Sequence, residues 1–129
     1  VGAEMCIRDS LDNGGGSGEE ACDYCQGDRD PRSSDNPDKA IISLKNDRET
    51  EYKVYIAVQN ELVAAYNVLR NREFARLYPN EAINYVEADL RYSDPRTSSD
   101  DKSSLKEKLD IIKALYPQKL SEAEPSKVN

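Results

Sequence analysis

The chain has 129 residues, of which 37% are hydrophobic and 33% are charged, and its formal net charge at pH 7 is −7. A chain this polar can bury only a small core, and its length allows one domain. Histidine is absent, which excludes Ser-His-Asp and Cys-His catalysis and histidine-ligated metals. The negative net charge disfavours nucleic acid as a partner. The sequence contains no run of about 18 apolar residues, so it predicts no membrane span.

The first ten residues, VGAEMCIRDS, raise a question of origin. When back-translated, residues 5–10 match the end sequence of a transposase-based sequencing adapter. We therefore expect residues 1–10 to be a translated adapter rather than native protein, with the native gene continuing upstream and no biological role for Cys6. The alternative is a genuine N-terminus.

Residues 11–39 are rich in Gly, Ser, Asp and Pro and contain almost no aliphatic side chains. Such a segment cannot bury enough apolar surface to offset the entropy lost on ordering, so its composition predicts a flexible linker or a long loop. The GGGSG run at residues 14–18 fits neither of the common phosphate-binding glycine motifs and is typical of a linker.

Cys22 and Cys25 form the sharpest motif of this segment, Cys-Asp-Tyr-Cys. A thioredoxin-like redox pair needs a strand before it and a helix after it, and neither is predicted. A structural zinc site needs four ligands, and the chain has no histidine and no second Cys-x-x-Cys. A local disulfide in an oxidising compartment, two free thiols, and a metal shared within an oligomer all stay open.

The composition changes at residue 40, where regular structure is predicted to begin. The short β-branched run AIISLK at residues 40–45 predicts a strand. Residues 51–77 predict a long amphipathic helix, with Thr50 as its N-cap and Glu51 in its first turn. Its apolar stripe recurs at spacings of three and four residues: Tyr55, Val58, Leu62, Ala65 and Leu69.

The remaining elements are shorter. Residues 81–92 fit a helix or a strand, and their apolar spacing favours a helix. Ser104 and Glu107 match the S-x-x-E capping box, which predicts that a helix begins there and ends at the Tyr-Pro pair 116–117. Residues 119–123 predict a short terminal strand. The predicted fold class is α+β, in the order short strand, long amphipathic helix, second helix, short strand, which is typical of a truncated domain.

No catalytic constellation is found among the acidic residues. Glu81, Glu87 and Asp89 lie in a polar stretch, and Asp100 and Asp101 precede a predicted helix. Paired carboxylates perform acid-base chemistry when burial separates their pKa values, and nothing in the sequence buries these groups. We predict no enzyme and no catalytic, cofactor-binding or metal-binding residue.

Three stretches together resemble the ExbD/TolR family of biopolymer transport proteins. They are AIISLKNDR at residues 40–48, YIAVQNELVAAYN at 55–67 and YPQKLSEAEP at 116–125. The segment around Cys22 and Cys25 is similar to the insert of a long subgroup of that family. The resemblance implies that residues 40–129 are the C-terminal part of a periplasmic α/β domain, truncated here, and that the two cysteines are a disulfide candidate.

The resemblance also implies a function. Members of this family sit in the inner membrane beside an ExbB-like proton-channel subunit and energise a TonB-like protein that acts on outer-membrane transporters. The expected activity is non-enzymatic protein–protein contact on the periplasmic side of the inner membrane, as a homodimer without cofactors. The membrane-embedded Asp that carries the proton in the family corresponds to no residue of this chain.

The sequence departs from the family pattern at two places. Glu49 stands where glycine is expected, and residues 79–104 differ in length or composition. The rival hypothesis is a free-standing binding module with a disulfide- or zinc-stapled loop.

Overall fold

The computed structural model describes residues 2–45 and 52–123. Helices hold more than half of these residues. In chain order the elements are α1 (Gly2–Leu11), a short 3-10 turn (Gly18–Glu20), β1 (Ile42–Lys45), α2 (Tyr52–Leu77), α3 (Tyr85–Ser93), α4 (Ser99–Leu115) and β2 (Leu120–Ala123). No helix in the described part of the chain is long and apolar enough to cross a membrane.

The predicted α+β fold class is wrong, because the described chain is a helical assembly. Helices α2, α3 and α4 pack against one another, and α1 packs against α2. The two strands have four residues each and, within the described residues, pair in parallel only with each other, Ile42 opposite Leu120 through Lys45 opposite Ala123. A ribbon of two short strands offers no layer on which helices can pack, so the helices bury their apolar faces on each other instead.

The long helix predicted over residues 51–77 is confirmed as α2, and the preference for a helix over residues 81–92 is confirmed by α3. The predicted N-cap Thr50 and first-turn Glu51 lie outside the described residues. Within α3, the Asn84 side chain caps the first turn by accepting a hydrogen bond from the Glu87 amide at 2.9 Å. An Asn at this position satisfies a backbone donor that the helix itself leaves free.

The predicted start of the last helix at the Ser104 capping box is wrong. Helix α4 begins at Ser99, and the hydroxyl of Ser98 accepts a hydrogen bond from the Asp101 amide at 3.2 Å. Asp100 and Asp101 then lie in the first turn, where negative charge interacts favourably with the helix dipole. The S-x-x-E pattern is therefore part of the helix interior, on its exposed side at Ser104.

Two hydrophobic clusters lie along α2. The loop-side core consists of Leu11, Leu62, Tyr66, Leu69 and Tyr116. The helix-side core consists of Phe74, Tyr85, Ala88, Leu109 and Ile112. The predicted apolar stripe of α2 is buried at Leu62, Ala65 and Leu69 and only half-buried at its N-terminal end. The two cores therefore lie at successive levels along α2, the helix-side core towards its C-terminal end.

Candidate functional site

The segment at residues 11–39 is a long loop that is packed against the helices rather than a flexible linker. The residue that holds this loop together is Asn13, which is buried. The Asn13 amide nitrogen donates to the carbonyl oxygens of Asp30 at 2.9 Å and Ser34 at 2.8 Å, and its side-chain oxygen accepts from the Asp30 amide at 3.1 Å. One side chain thus joins three parts of the loop, which a local composition analysis cannot detect.

Backbone contacts complete this packing and explain the glycines. The amide of Gly27 donates to the Asp12 carbonyl at 2.8 Å, and the amide of Gly15 donates to the Ser34 carbonyl at 2.9 Å. A Cβ atom built on Gly15 would lie 2.2 Å from the Asp30 carbonyl oxygen. The glycine is required because two backbone segments approach too closely for any side chain. Its role is close packing and not the flexibility that a GGGSG run suggests.

Cys22 and Cys25 are joined by a disulfide in the structure, and their exposed fractions are 1% and 4%. The guanidinium of Arg29 donates to the carbonyl oxygens of Cys22 at 2.9 Å, Cys25 at 2.8 Å and Gly14 at 3.3 Å. Bonded sulfurs cannot ligate a metal as thiolates. Within the described residues no group of three or more cysteine, aspartate or glutamate side chains could hold a metal ion.

Asp12, Arg72 and Tyr116 form a cluster that we call the Asp12 clamp. The Arg72 guanidinium donates to both carboxylate oxygens of Asp12, at 2.7 and 2.9 Å. The Tyr116 hydroxyl donates to Asp12 at 2.5 Å and accepts from Arg72 at 2.8 Å. Because a bidentate guanidinium–carboxylate pair has a defined geometry, the clamp fixes the start of the loop on α2 and on the end of α4.

Tyr24, which lies between the two cysteines, ties the disulfide to the same place. Its hydroxyl donates to the Leu115 carbonyl at 2.6 Å, and its carbonyl accepts from Arg72 at 3.3 Å. Its ring packs edge-on against Tyr116, with 5.4 Å between the ring centroids. The disulfide loop therefore contacts two members of the Asp12 clamp, Arg72 and Tyr116.

Further charged side chains of α2 are buried beside the clamp. Arg70 donates to the Tyr116 carbonyl at 2.8 and 3.1 Å and to the Tyr85 hydroxyl at 3.2 Å. The Glu73 carboxylate is completely buried and pairs with Arg76 at 3.0 Å. The partners of these charged groups offset the cost of burying them, because an unpaired buried charge is strongly unfavourable. These contacts connect the loop-side core to the helix-side core.

The pKa values indicate a structural cluster rather than a proton-transfer site. Burial raises the pKa of Asp12, but hydrogen bonds from Arg72 and Tyr116 lower it by more, so the carboxyl has a pKa below its usual value. Burial, followed by the hydrogen bond to Asp12, raises the pKa of Tyr116 far above its usual value. Burial also raises the pKa of Tyr24 to about 12. None of these three groups changes its charge near pH 7, as a general acid or base at that pH would need to do.

Sequence reasoning identified Cys22 and Cys25 but missed the clamp residues. The only local indication is Glu73, which follows Leu69 by four residues and so places a charge on the buried face of α2. Of the acidic residues considered for catalysis, Glu81 and Asp101 line the same surface groove. Glu81 pairs there with Lys108, and Asp89 pairs with Lys113 at 3.8 Å on the surface of the helical part.

A surface groove of about 550 Å³ lies between α3 and the start of α4. Two of its cations are already paired, Arg96 with Asp94 at 2.9 Å and Lys108 with Glu81.

Comparisons with known proteins find no matching family model, no matching curated protein and no matching solved structure. The disulfide loop with its clamp is therefore the candidate site, and its function is inferred from the residues themselves.

Proposed function

We propose that this chain is the periplasmic part of an ExbD-like subunit of a proton-motive-force-driven energy-transduction complex. The complex supports TonB-dependent transport across the outer membrane. This part acts without catalysis, by contact with an ExbB-like proton-channel subunit, a TonB-like protein and a second copy of itself. It reaches the inner membrane from the periplasmic side.

The observation that carries this proposal is the meeting of the three stretches that resemble the family. Residues 42–45 pair with residues 120–123 as β1 and β2. The stretch 55–67 contributes Leu62 and Tyr66 to the loop-side core. The third stretch contributes Tyr116 to that core. The segments that begin at Ile42 and Leu120, 78 positions apart, thus pair with each other. This supports the proposal that the three stretches belong to one domain.

The disulfide supports the proposed periplasmic location. Disulfides form and persist in the bacterial periplasm and are rare in the cytosol. Cys22 and Cys25 are bonded and buried under their own loop. The clamp cluster contains no group poised for proton transfer at pH 7, and this favours a contact function over a catalytic one.

The first test is to amplify and sequence the genomic locus upstream of the Leu11 codon. We expect the reading frame to continue through one apolar span that contains an Asp. The full-length protein, tagged and extracted in detergent, is then expected to co-purify with the ExbB-like subunit encoded in the same genome. A matched control is the same preparation with that Asp changed to Asn, which keeps the span and tests whether association needs only the fold.

The opposite result is equally informative. If residues 1–10 are encoded in the genome behind a stop codon, and the purified chain binds neither partner, the proposed function is wrong. A free-standing binding module with a disulfide-stapled loop then becomes the better interpretation.

A further inference from the structure

The burial of the disulfide needs an explanation beyond the proposed function. A disulfide is reduced when a thiolate attacks one of its sulfur atoms, so the rate depends on access. The exposed fractions of Cys22 and Cys25 are only 1% and 4%. A reductant can reach this bond only after some part of the surrounding chain has moved.

The segment at residues 12–16 covers the disulfide. A Cβ atom built on Gly14 would lie 2.7 Å from Cβ and 3.5 Å from Sγ of Cys25. The backbone at Gly14 therefore lies directly against the disulfide. Gly14 has a φ angle of +66°, which favours glycine, and its carbonyl shares the Arg29 guanidinium with the two cysteine carbonyls.

The Asp12 clamp holds this cover in place. Asp12 precedes Gly14 by two residues and is bound by Arg72 and by Tyr116. Arg72 also donates to the carbonyl of Tyr24, inside the disulfide loop. One side chain of α2 thus holds both the cover and the covered loop, so loss of its contacts is expected to release both.

We propose that the disulfide and the Asp12 clamp form a redox-sensitive clasp, in which the clamp limits access of a dithiol to the disulfide and reduction releases the 22–25 loop from the end of α4. The clasp does not depend on the function proposed above. Its reductant is a dithiol, either a small molecule or a dithiol protein.

The chemistry balances with that one reductant. A thiolate of the dithiol attacks one Sγ atom, the disulfide breaks, and the other cysteine leaves as a thiolate that takes up a proton. The second thiol of the reductant then attacks the mixed disulfide and releases the first cysteine. Two electrons and two protons pass to Cys22 and Cys25, and the reductant becomes a cyclic disulfide.

Reduction has a defined structural consequence. The ring closed by Cys22 and Cys25 fixes the backbone of Tyr24, whose hydroxyl binds the Leu115 carbonyl and whose ring packs on Tyr116. Opening that ring allows Tyr24 to leave these contacts. The end of α4 and the Tyr116 side of the loop-side core then become accessible from the loop side.

The experiment measures the rate of disulfide reduction by dithiothreitol in the oxidised chain, with Cys6→Ser in every variant to remove the exposed free thiol. Aliquots are quenched with N-ethylmaleimide and the mass shift is read by mass spectrometry. Arg72→Gln is expected to raise the rate at least tenfold. Arg96→Gln, which removes an exposed guanidinium far from the loop in sequence, is expected to leave it unchanged.

Global unfolding is separated from local opening by Leu109→Ala, which weakens the helix-side core. We expect this variant to raise the reduction rate less than threefold. Equal rates for Arg72→Gln and the parent would overturn the proposal, as would a Leu109→Ala effect as large as that of Arg72→Gln. If Arg72→Gln does not fold, Tyr116→Phe removes the two clamp hydrogen bonds of the Tyr116 hydroxyl and is expected to raise the rate several-fold.

The second readout is amide hydrogen exchange after reduction. The Gly27 amide is bonded to the Asp12 carbonyl, so its protection is expected to fall at least tenfold in the reduced chain. The Ala88 amide, within α3, is the internal control and is expected to change less than twofold. Unchanged protection at Gly27 would show that reduction does not release the loop.

Discussion

The loop-side core and the helix-side core share helix α2 but are assembled from different kinds of contact. The helix-side core joins α2, α3 and α4 through apolar side chains such as Phe74, Leu109 and Ile112. The loop-side core is closed by polar contacts, including a hydrogen bond between Tyr116 and Asp12 across 104 residues of sequence. The first depends on apolar area, which is not directional, and the second depends on exact partner geometry.

This difference predicts different responses to mutation. Shortening an apolar side chain costs transfer free energy and leaves a cavity, in proportion to what is removed. Removing Arg72 leaves the Asp12 carboxylate without its ion-pair partner. The helix-side core should therefore be sensitive to volume, and the loop-side core should be sensitive to pairing.

The largest effect is expected in the helix-side core. Phe74→Ala is predicted to lower the free energy of unfolding by about 3–5 kcal/mol, because a fully buried aromatic ring is lost. Leu90→Ala is the matched apolar control: this side chain is 67% exposed, and a change of less than about 0.5 kcal/mol is expected. Urea denaturation followed by circular dichroism measures both. Equal losses would show that the helix-side core does not hold the fold.

The next effect tests the clamp. Arg72→Gln is predicted to lower the free energy of unfolding by about 2–3 kcal/mol. This is less than the roughly 3–5 kcal/mol for a fully buried pair, because the Arg72 side chain is 27% exposed. The double variant with Asp12→Asn should lose less than the sum of the two single variants, since the partners then are both neutral. Strict additivity in the double-mutant cycle would contradict the pairing.

Tyr24→Phe tests the anchor between disulfide and α4. The loss of its hydrogen bond to the Leu115 carbonyl is predicted to cost about 1–1.5 kcal/mol at pH 7. The measurement is urea denaturation of the oxidised protein. Tyr52→Phe, at an exposed tyrosine, is the control and should leave stability unchanged.

Tyr24 also sets a pH dependence on the alkaline side. Its pKa is about 12 in the folded chain, raised by burial from the ordinary value of 10.0. A raised pKa means that the unfolded chain loses this proton first, so the stabilisation is complete below pH 10 and is lost as the pH rises through 12. In Tyr24→Phe the fall of stability over this range should be shallower, although Tyr66, Tyr85 and Tyr116 also have raised pKa values. If the free energy of unfolding fell equally steeply with pH in both proteins, the pKa of the Tyr24 hydroxyl would not be raised by burial.

The smallest effect distinguishes the two candidate starts of α4. Ser98→Ala is predicted to cost about 1 kcal/mol, because the Asp101 amide loses its capping oxygen. Ser104→Ala is predicted to change stability by less than about 0.3 kcal/mol, since Ala is the better helix former at an exposed interior position. The reverse order in thermal denaturation would place the helix start at the S-x-x-E pattern after all.

The sequence predictions succeeded where the determining interaction is local. Helix α2 was predicted to within one residue of its first position, because its apolar side chains recur at the helical period. The fold class failed because two strand-like runs were taken as part of a truncated α+β domain, whereas each strand has only four residues and pairs only with the other in the described chain. The start of α4 failed because the S-x-x-E pattern at Ser104 lies inside the helix, whereas Ser98 provides the cap.

The candidate site was only partly predictable for the same reason. Cys22 and Cys25 stand out because they are close in sequence and of a distinctive type. Asp12, Arg72 and Tyr116 are ordinary surface residue types, separated by 44 to 104 positions. No local sequence pattern indicates that these three residues contact one another in the fold.

By itself the sequence determined helix α2, the helix over residues 81–92 and the cysteine pair, since these follow from side-chain periodicity and from neighbours within a few positions. Only the tertiary structure decided that a glycine-rich segment is packed and that Asp12 is buried. It also decided that Arg72 serves both the cover and the disulfide loop. The physical reason is that hydrogen bonds and ion pairs act over a few ångströms in space, whatever the separation of their partners along the chain.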